Sequence, residues 1–147
     1  CEKIRAGKDA QLTDDFMIIA RVESLILERG MEDALKRASA YVEAGADGIM
    51  IHSRKENPAE IFEFCQRFRR RDCHTPLVAV PTSYHQVFEK ELMEYGINIV
   101  IYANQLTRSA FPAMERTAKD LLKYHRALEA DAKLMPIRQI ITLIDEL

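Results

Sequence analysis

The chain has 147 residues with a formal net charge of −2; 48% of residues are hydrophobic and 30% charged, the profile of one ordinary globular domain with a core of its own. That charge balance gives no reason for nucleic acid as a partner, and no apolar run or signal peptide marks a membrane or secretory segment. Cys1, Cys65 and Cys73 form no C-x-x-C pair and are odd in number, so disulfides are disfavoured and a reducing cytoplasm is the expected compartment.

The chain opens with helical character at Cys1-Glu2-Lys3-Ile4-Arg5-Ala6, as though in mid-helix, and is expected to be a piece of something longer. Gly7 and the polar residues 8–15 read as a connector into a first strand over residues 16–22. A helix is predicted over residues 31–44, where Ala34, Leu35, Ala38, Tyr41 and Val42 keep spacings of three and four, with Gly45 as its stop. The second strand is residues 48–51, and Asn57-Pro58 then caps a helix through Ile61, Phe64, Cys65 and Phe68. That helix ends in Arg67, Arg69, Arg70 and Arg71, read as an exposed basic end. A third strand over residues 77–80, a helix over 86–95 stopped by Gly96, and a fourth strand over 97–103 follow. A longer helix over residues 109–130 and a short one over 136–146 complete the chain.

Strands that are continuous apolar runs, alternating with helices about thirty residues apart, predict a parallel α/β sheet covered on both faces. No glycine-rich dinucleotide or phosphate loop follows any strand, which disfavours a Rossmann domain. A (β/α)8 barrel fits better, and four units supply about half of the roughly 250 residues it needs. The expectation is therefore one domain over residues 1–147, the C-terminal half of a barrel, with its remaining strands contributed from outside.

In a parallel α/β protein, ligands sit at the carboxyl ends of strands. Those ends carry Arg21 and Glu23, then His52 and Ser53, then Thr82, then Asn104. Arginine grips a carboxylate or phosphonate with two parallel charge-assisted hydrogen bonds; histidine adds a donor or exchanges a proton near neutral pH. Thr82 and Asn104 can give neutral hydrogen bonds, so the set suits a small, multiply charged acid. Each residue also has a plainer role: Arg21 and Glu23 pairing with each other, His52 in the core, Thr82 shaping the turn after Pro81, and Asn104 capping the next helix. Tyr84 and Tyr102 read as packing residues. Glu23 is the one carboxylate at a strand end, so a hard-cation site with two or three acidic ligands is not expected within this chain.

The segments Asp15-Phe16-Met17-Ile18-Ile19-Ala20-Arg21-Val22-Glu23, Ala44-Gly45-Ala46-Asp47-Gly48, Met50-Ile51-His52-Ser53, Val80-Pro81-Thr82 and Val100-Ile101-Tyr102-Ala103-Asn104 occur in an order and spacing that resembles the phosphoenolpyruvate phosphomutase and phosphonopyruvate hydrolase branch of the isocitrate lyase superfamily. The resemblance implies a (β/α)8 barrel whose last helix is swapped between subunits of a homo-oligomer. It also implies an enzyme interconverting phosphoenolpyruvate and phosphonopyruvate, in which Arg21 and His52 are the catalytic residues and bind the charged ends of the substrate; Ser53, Thr82 and Asn104 are expected, from their strand-end positions, as further substrate contacts. Magnesium is the implied cofactor; its direct ligands are expected in a preceding half, with Glu23 reaching the metal only through water or else orienting Arg21. The isolated chain is expected to be inactive. Phosphonopyruvate hydrolysis, carbon–carbon lyase or oxaloacetate decarboxylase chemistry, and a non-catalytic assembly module remain as alternatives.

Overall fold

A computed structural model describes residues 1–143. The chain divides into two compact units, Cys1–Ala103 and Asn104–Leu147.

In the first unit, α1 (Glu2–Asp9) precedes β1 (Ile19–Val22), α2 (Gly30–Glu43), β2 (Gly48–Ile51), α3 (Ala59–Arg69), β3 (Leu77–Ala79), α4 (Glu89–Glu94) and β4 (Ile99–Val100). The four strands are parallel and lie in the order β1-β2-β3-β4. An order that never reverses has no switch point of the doubly wound kind, and right-handed crossovers then place successive helices on the same face.

Alternate strand positions show the consequence. Ala20, Val22, Ile49, Ile51, Leu77 and Ala79 join Leu35, Ala38, Ile61, Phe64 and Phe68 of the helices in one buried cluster, each large side chain contributing about 1.5–3 kcal/mol. The intervening row, Arg21–Met50–Val78–Ile99 in register, stands on the opposite face, where Arg21 and Ile99 are exposed. The cover expected on both faces is thus present on one face of the described unit. The same cause trims the outer strands. Residues 16–22 and 97–103 were expected to be strand, but ladder pairing extends only over Ile19–Val22 and Ile99–Val100. Each outer strand pairs on one side only, and Phe16, Met17, Ile101 and Tyr102 are exposed beside them.

Two glycines shape the turn into β2. Gly45 follows α2 at φ +100°, the left-handed conformation that ends helices without a Cβ penalty. At Gly48 a Cβ would stand 2.6 Å from Ile19 Cδ1 and 3.1 Å from the Pro76 carbonyl, so a larger residue would have to displace the Ile19 side chain and crowd the entry to β3. Between them, the Asp47 carboxylate accepts from the Ile18 N–H at 2.8 Å and from Lys8 Nζ at 2.9 and 3.0 Å. Asp47 therefore binds the entry to β1 and the end of α1, which runs through Gly7 and Lys8 where a connector was expected.

The basic end of α3 is not a solvated patch throughout. Arg67 pairs with Glu32 and Glu63. Arg69 donates to the carbonyls of Gly96, Thr75 and Asp72 and to Asn98 Oδ1, tying α3 to the segments that enter β3 and β4. Asn57 Oδ1 accepts the Ala59 N–H at 2.9 Å, capping α3 as its sequence foretold. α4 is shorter than expected, and Gly96 stops it at φ +86°.

The second unit holds α5 (Gln105–Tyr124), α6 (Leu128–Asp131) and α7 (Ile137–Ile140). The single helix expected over residues 109–130 is divided at His125, which takes the left-handed conformation at φ 51°. The helix expected over residues 136–146 is helical at Ile137–Ile140; its last part lies outside the described residues. Leu106, Phe111, Met114 and Leu122 of α5 are exposed.

Candidate functional site

Arg21 is the third residue of β1, and Glu23 follows the strand; their side chains form an ion pair and are 49% and 38% exposed. His52 directly follows β2, the strand beside β1, and shares the open-face parity of Met50. Its Nδ1 is buried without a hydrogen-bond partner. Burial pushes the imidazole below its ordinary pKa; the positive charge of Arg21 and, more weakly, Arg54 act in the same direction, and Glu23 opposes them. Arg21, Glu23 and His52 are therefore electrostatically one group, held at the carboxyl ends of two adjacent strands. A neutral imidazole with an unpartnered buried nitrogen beside a guanidinium is a site ready to accept or donate one further hydrogen bond.

Arg21 also lines a cleft of about 310 Å³ with Glu23, Arg29, Arg37 and Tyr41. Three guanidinium groups on one cleft favour an anion, although Arg37 is partly committed to Asp33 at 2.8 Å.

Ser53 stands differently from its neighbour His52. Its side chain is 1% exposed, donates to the Glu60 carboxylate and accepts the Lys55 N–H at 3.0 Å. It supports the strand end from the helix side, so the structure does not place its hydroxyl on the open face with His52. Thr82 is half-buried after β3, and its N–H donates to the Val80 carbonyl at 2.8 Å, the backbone bond of a tight turn. Asn104 belongs to the second unit, where it is the N-cap residue of α5 and accepts from Arg108 at 3.5 Å. Tyr84 is fully buried in the core as expected, whereas Tyr102 is exposed and donates to the Glu89 carboxylate at 2.7 Å.

Sequence reading missed Asp33 and Glu60. Asp33 accepts from Ser24 Oγ at 2.7 Å, and its carboxyl is held below the usual range first by that bond and then by Arg37. The available signal was an acid in the first turn of a helix downstream of a strand-end serine. Among the described residues no group of three or more His, Cys, Asp or Glu could hold a metal ion. No helix of the described residues is long and apolar enough to cross a membrane.

Comparison with known proteins gives a consistent family. A family model for phosphoenolpyruvate phosphomutase matches residues 1–122. The phosphoenolpyruvate phosphomutase of Tetrahymena pyriformis is 38% identical over 144 residues, covering 98% of this chain and 47% of that protein. The crystal structure of phosphoenolpyruvate phosphomutase from Streptomyces platensis subsp. rosaceus superimposes with a TM-score of 0.87 at 37% identity, over 96% of this chain and 48% of that one. A phosphonopyruvate hydrolase solved in complex with oxalate and Mg++ superimposes with a TM-score of 0.84 at 39% identity, over 95% and 48% of the two chains. The chain spans about half the length of the curated relatives it matches. A four-stranded parallel sheet, an Arg–Glu–His group at adjacent strand ends, and a family match over residues 1–122 agree: this chain belongs to the phosphoenolpyruvate phosphomutase family.

Proposed function

We propose that the protein containing this chain interconverts phosphoenolpyruvate and phosphonopyruvate, and that this chain supplies the C-terminal half of its (β/α)8 barrel. The observation that carries the reading is the placement of Arg21 and His52 at the ends of neighbouring parallel strands in a chain of this family. Apolar residues exposed on and beside the outer strands, Phe16, Met17, Ile99 and Ile101, support completion of the sheet by further strands.

In this reading Arg21 grips one anionic end of the substrate through two parallel hydrogen bonds, and Glu23 holds the guanidinium in place. His52 contributes its unpartnered nitrogen to a substrate oxygen. Thr82 gives a neutral hydrogen bond, and Ser53 acts from behind His52. Electrostatic stabilisation of the migrating phosphoryl group is the main catalytic demand, and Arg21 meets part of it. Magnesium is proposed as the cofactor, supported by the family and by the hydrolase solved with Mg++, with its direct ligands supplied from outside this chain's described residues. The exposed apolar residues of α5, Leu106, Phe111, Met114 and Leu122, support homo-oligomerisation through the C-terminal helices. A cytoplasmic location is part of the same proposal, supported by three cysteines, an odd number, as suits a reducing compartment.

The 39% identity to a phosphonopyruvate hydrolase favours a second reading, hydrolysis of the same carbon–phosphorus bond. One experiment separates them. The full-length protein is supplied with magnesium and phosphonopyruvate, and the products are followed by phosphorus NMR. Phosphoenolpyruvate is the expected product; inorganic phosphate with pyruvate selects the hydrolase reading, and no conversion refutes both.

A further inference from the structure

Ser24 and Ser53 are buried, at 2% and 1% exposure, and each directly follows a residue of the candidate site, Glu23 or His52. Each hydroxyl donates to a carboxylate in the first turn of the next helix, Ser24 to Asp33 on α2 and Ser53 to Glu60 on α3. Each carboxylate is also held by a cation: Arg37 Nε lies 2.8 Å from Asp33, and Lys55 Nζ 2.5 Å from Glu60. The Ser53 hydroxyl additionally accepts the Lys55 N–H at 3.0 Å, closing the loop onto the strand end. The same tie of strand end, loop and helix start therefore occurs twice, at the two strands that carry the site. A buried hydroxyl bonded to a carboxylate is both satisfied and directionally fixed, and an acid in a helix's first turn is favoured by the helix dipole.

We propose that Asp33 and Glu60 are positioning residues, which act through Ser24 and Ser53 to set the backbone at Glu23 and His52 so that both strand ends address one ligand. Neither acid touches that ligand. The identity of the ligand rests on the proposed function; the positioning itself rests on the hydrogen bonds alone. Misplacing a reacting group by about 1 Å costs up to about a hundredfold in rate, so small slack at these two turns has a large expected effect.

The test uses the full-length protein with magnesium and compares Glu60→Ala with Glu60→Gln, and Asp33→Ala with Asp33→Asn. The amide variants keep an acceptor for the serine and lose only the charge. The expected result is a loss in kcat/KM for phosphonopyruvate of about tenfold or more in the alanine variants, and recovery to within about threefold in the amide variants. Hydrogen exchange at the Lys55 amide is expected to accelerate in Glu60→Ala and not in Glu60→Gln. Amide variants as impaired as the alanine variants, or alanine variants with unchanged turnover and unchanged Lys55 exchange, overturn the proposal. Should Glu60→Ala not fold, the Asp33 pair gives the kinetic reading, with hydrogen exchange at the Arg29 amide, which donates to the Ser24 carbonyl at 2.9 Å, expected to accelerate in Asp33→Ala and not in Asp33→Asn. If the wild-type protein itself does not convert phosphonopyruvate, the proposed function fails, and Lys55 exchange alone decides the positioning role.

Discussion

Replacing Arg21 by lysine separates the substrate grip from the fold. The Arg21 side chain is 49% exposed, and its ion-pair partner, Glu23, is itself 38% exposed. An exposed pair of this kind is worth less than about 1 kcal/mol. Lysine keeps the charge, so the cost to folding is expected to stay within about 0.5 kcal/mol, as for an ordinary surface substitution. The cost to catalysis is different in kind. Lysine cannot present two parallel N–H donors to one carboxylate or phosphonate, and loss of one charge-assisted hydrogen bond is worth about 1.5–3 kcal/mol. At about 1.4 kcal/mol for each tenfold change, kcat/KM for phosphonopyruvate is expected to fall between about tenfold and a hundredfold. Steady-state kinetics of the full-length protein with saturating magnesium measures the first quantity, and thermal or urea unfolding the second. Turnover within twofold of wild type removes Arg21 from the site; a stability loss matching the kinetic loss makes it a structural residue.

Asp47→Ala removes the acceptor of the Ile18 N–H and the partner of Lys8, and is expected to cost about 2 kcal/mol in urea unfolding, most of it from the backbone bond. The Ile18 N–H, then Lys8, holds the Asp47 carboxyl below its usual range. Its contribution is therefore present above the unfolded carboxylate pKa and lost as pH falls through the lower folded value; the variant's acid-side slope is expected to be shallower. His52 is a base held below its ordinary pKa, chiefly by burial, so its protonation also opposes folding as pH falls below about 6.5. His52→Gln is expected to remove that part of the acid destabilisation, as read from unfolding curves at pH 5 and 7. Burial pushes the Cys65 thiol up to about 12, while Cys1 and Cys73 are exposed. Mass spectrometry after brief alkylation of the native protein at pH 8 is expected to show labels on the exposed pair and none on Cys65 until denaturant is added. Phe111→Glu with Leu122→Glu on α5 is expected to shift the full-length protein to a smaller species on size exclusion; an unchanged elution volume refutes assembly through that helix.

Much of the fold is written locally. Each strand is an apolar run whose ladder needs only neighbours of the same kind, and β2, paired on both sides, begins and ends at Gly48 and Ile51 as its residues indicate. Gly45 and Gly96 mark the ends of α2 and α4 because only their backbone enters the left-handed region freely. The polar residues that end β1 and β2 are likewise visible in order along the chain. Tertiary structure decided the rest. The extents of β1 and β4 depend on whether a neighbour pairs with them, which no local pattern records. His52 gains its lowered pKa from burial and from Arg21, a residue 31 positions earlier brought near by parallel register. Asp47 meets Lys8 across 39 residues, Arg69 meets Gly96 across 27, and Ser53 meets Glu60 only after the loop turns back. Residue type and spacing placed Arg21, Glu23 and His52 at strand ends. Which side chains support them was set by the path of the loops, because a hydrogen bond depends on distance and direction in space and not on separation in sequence.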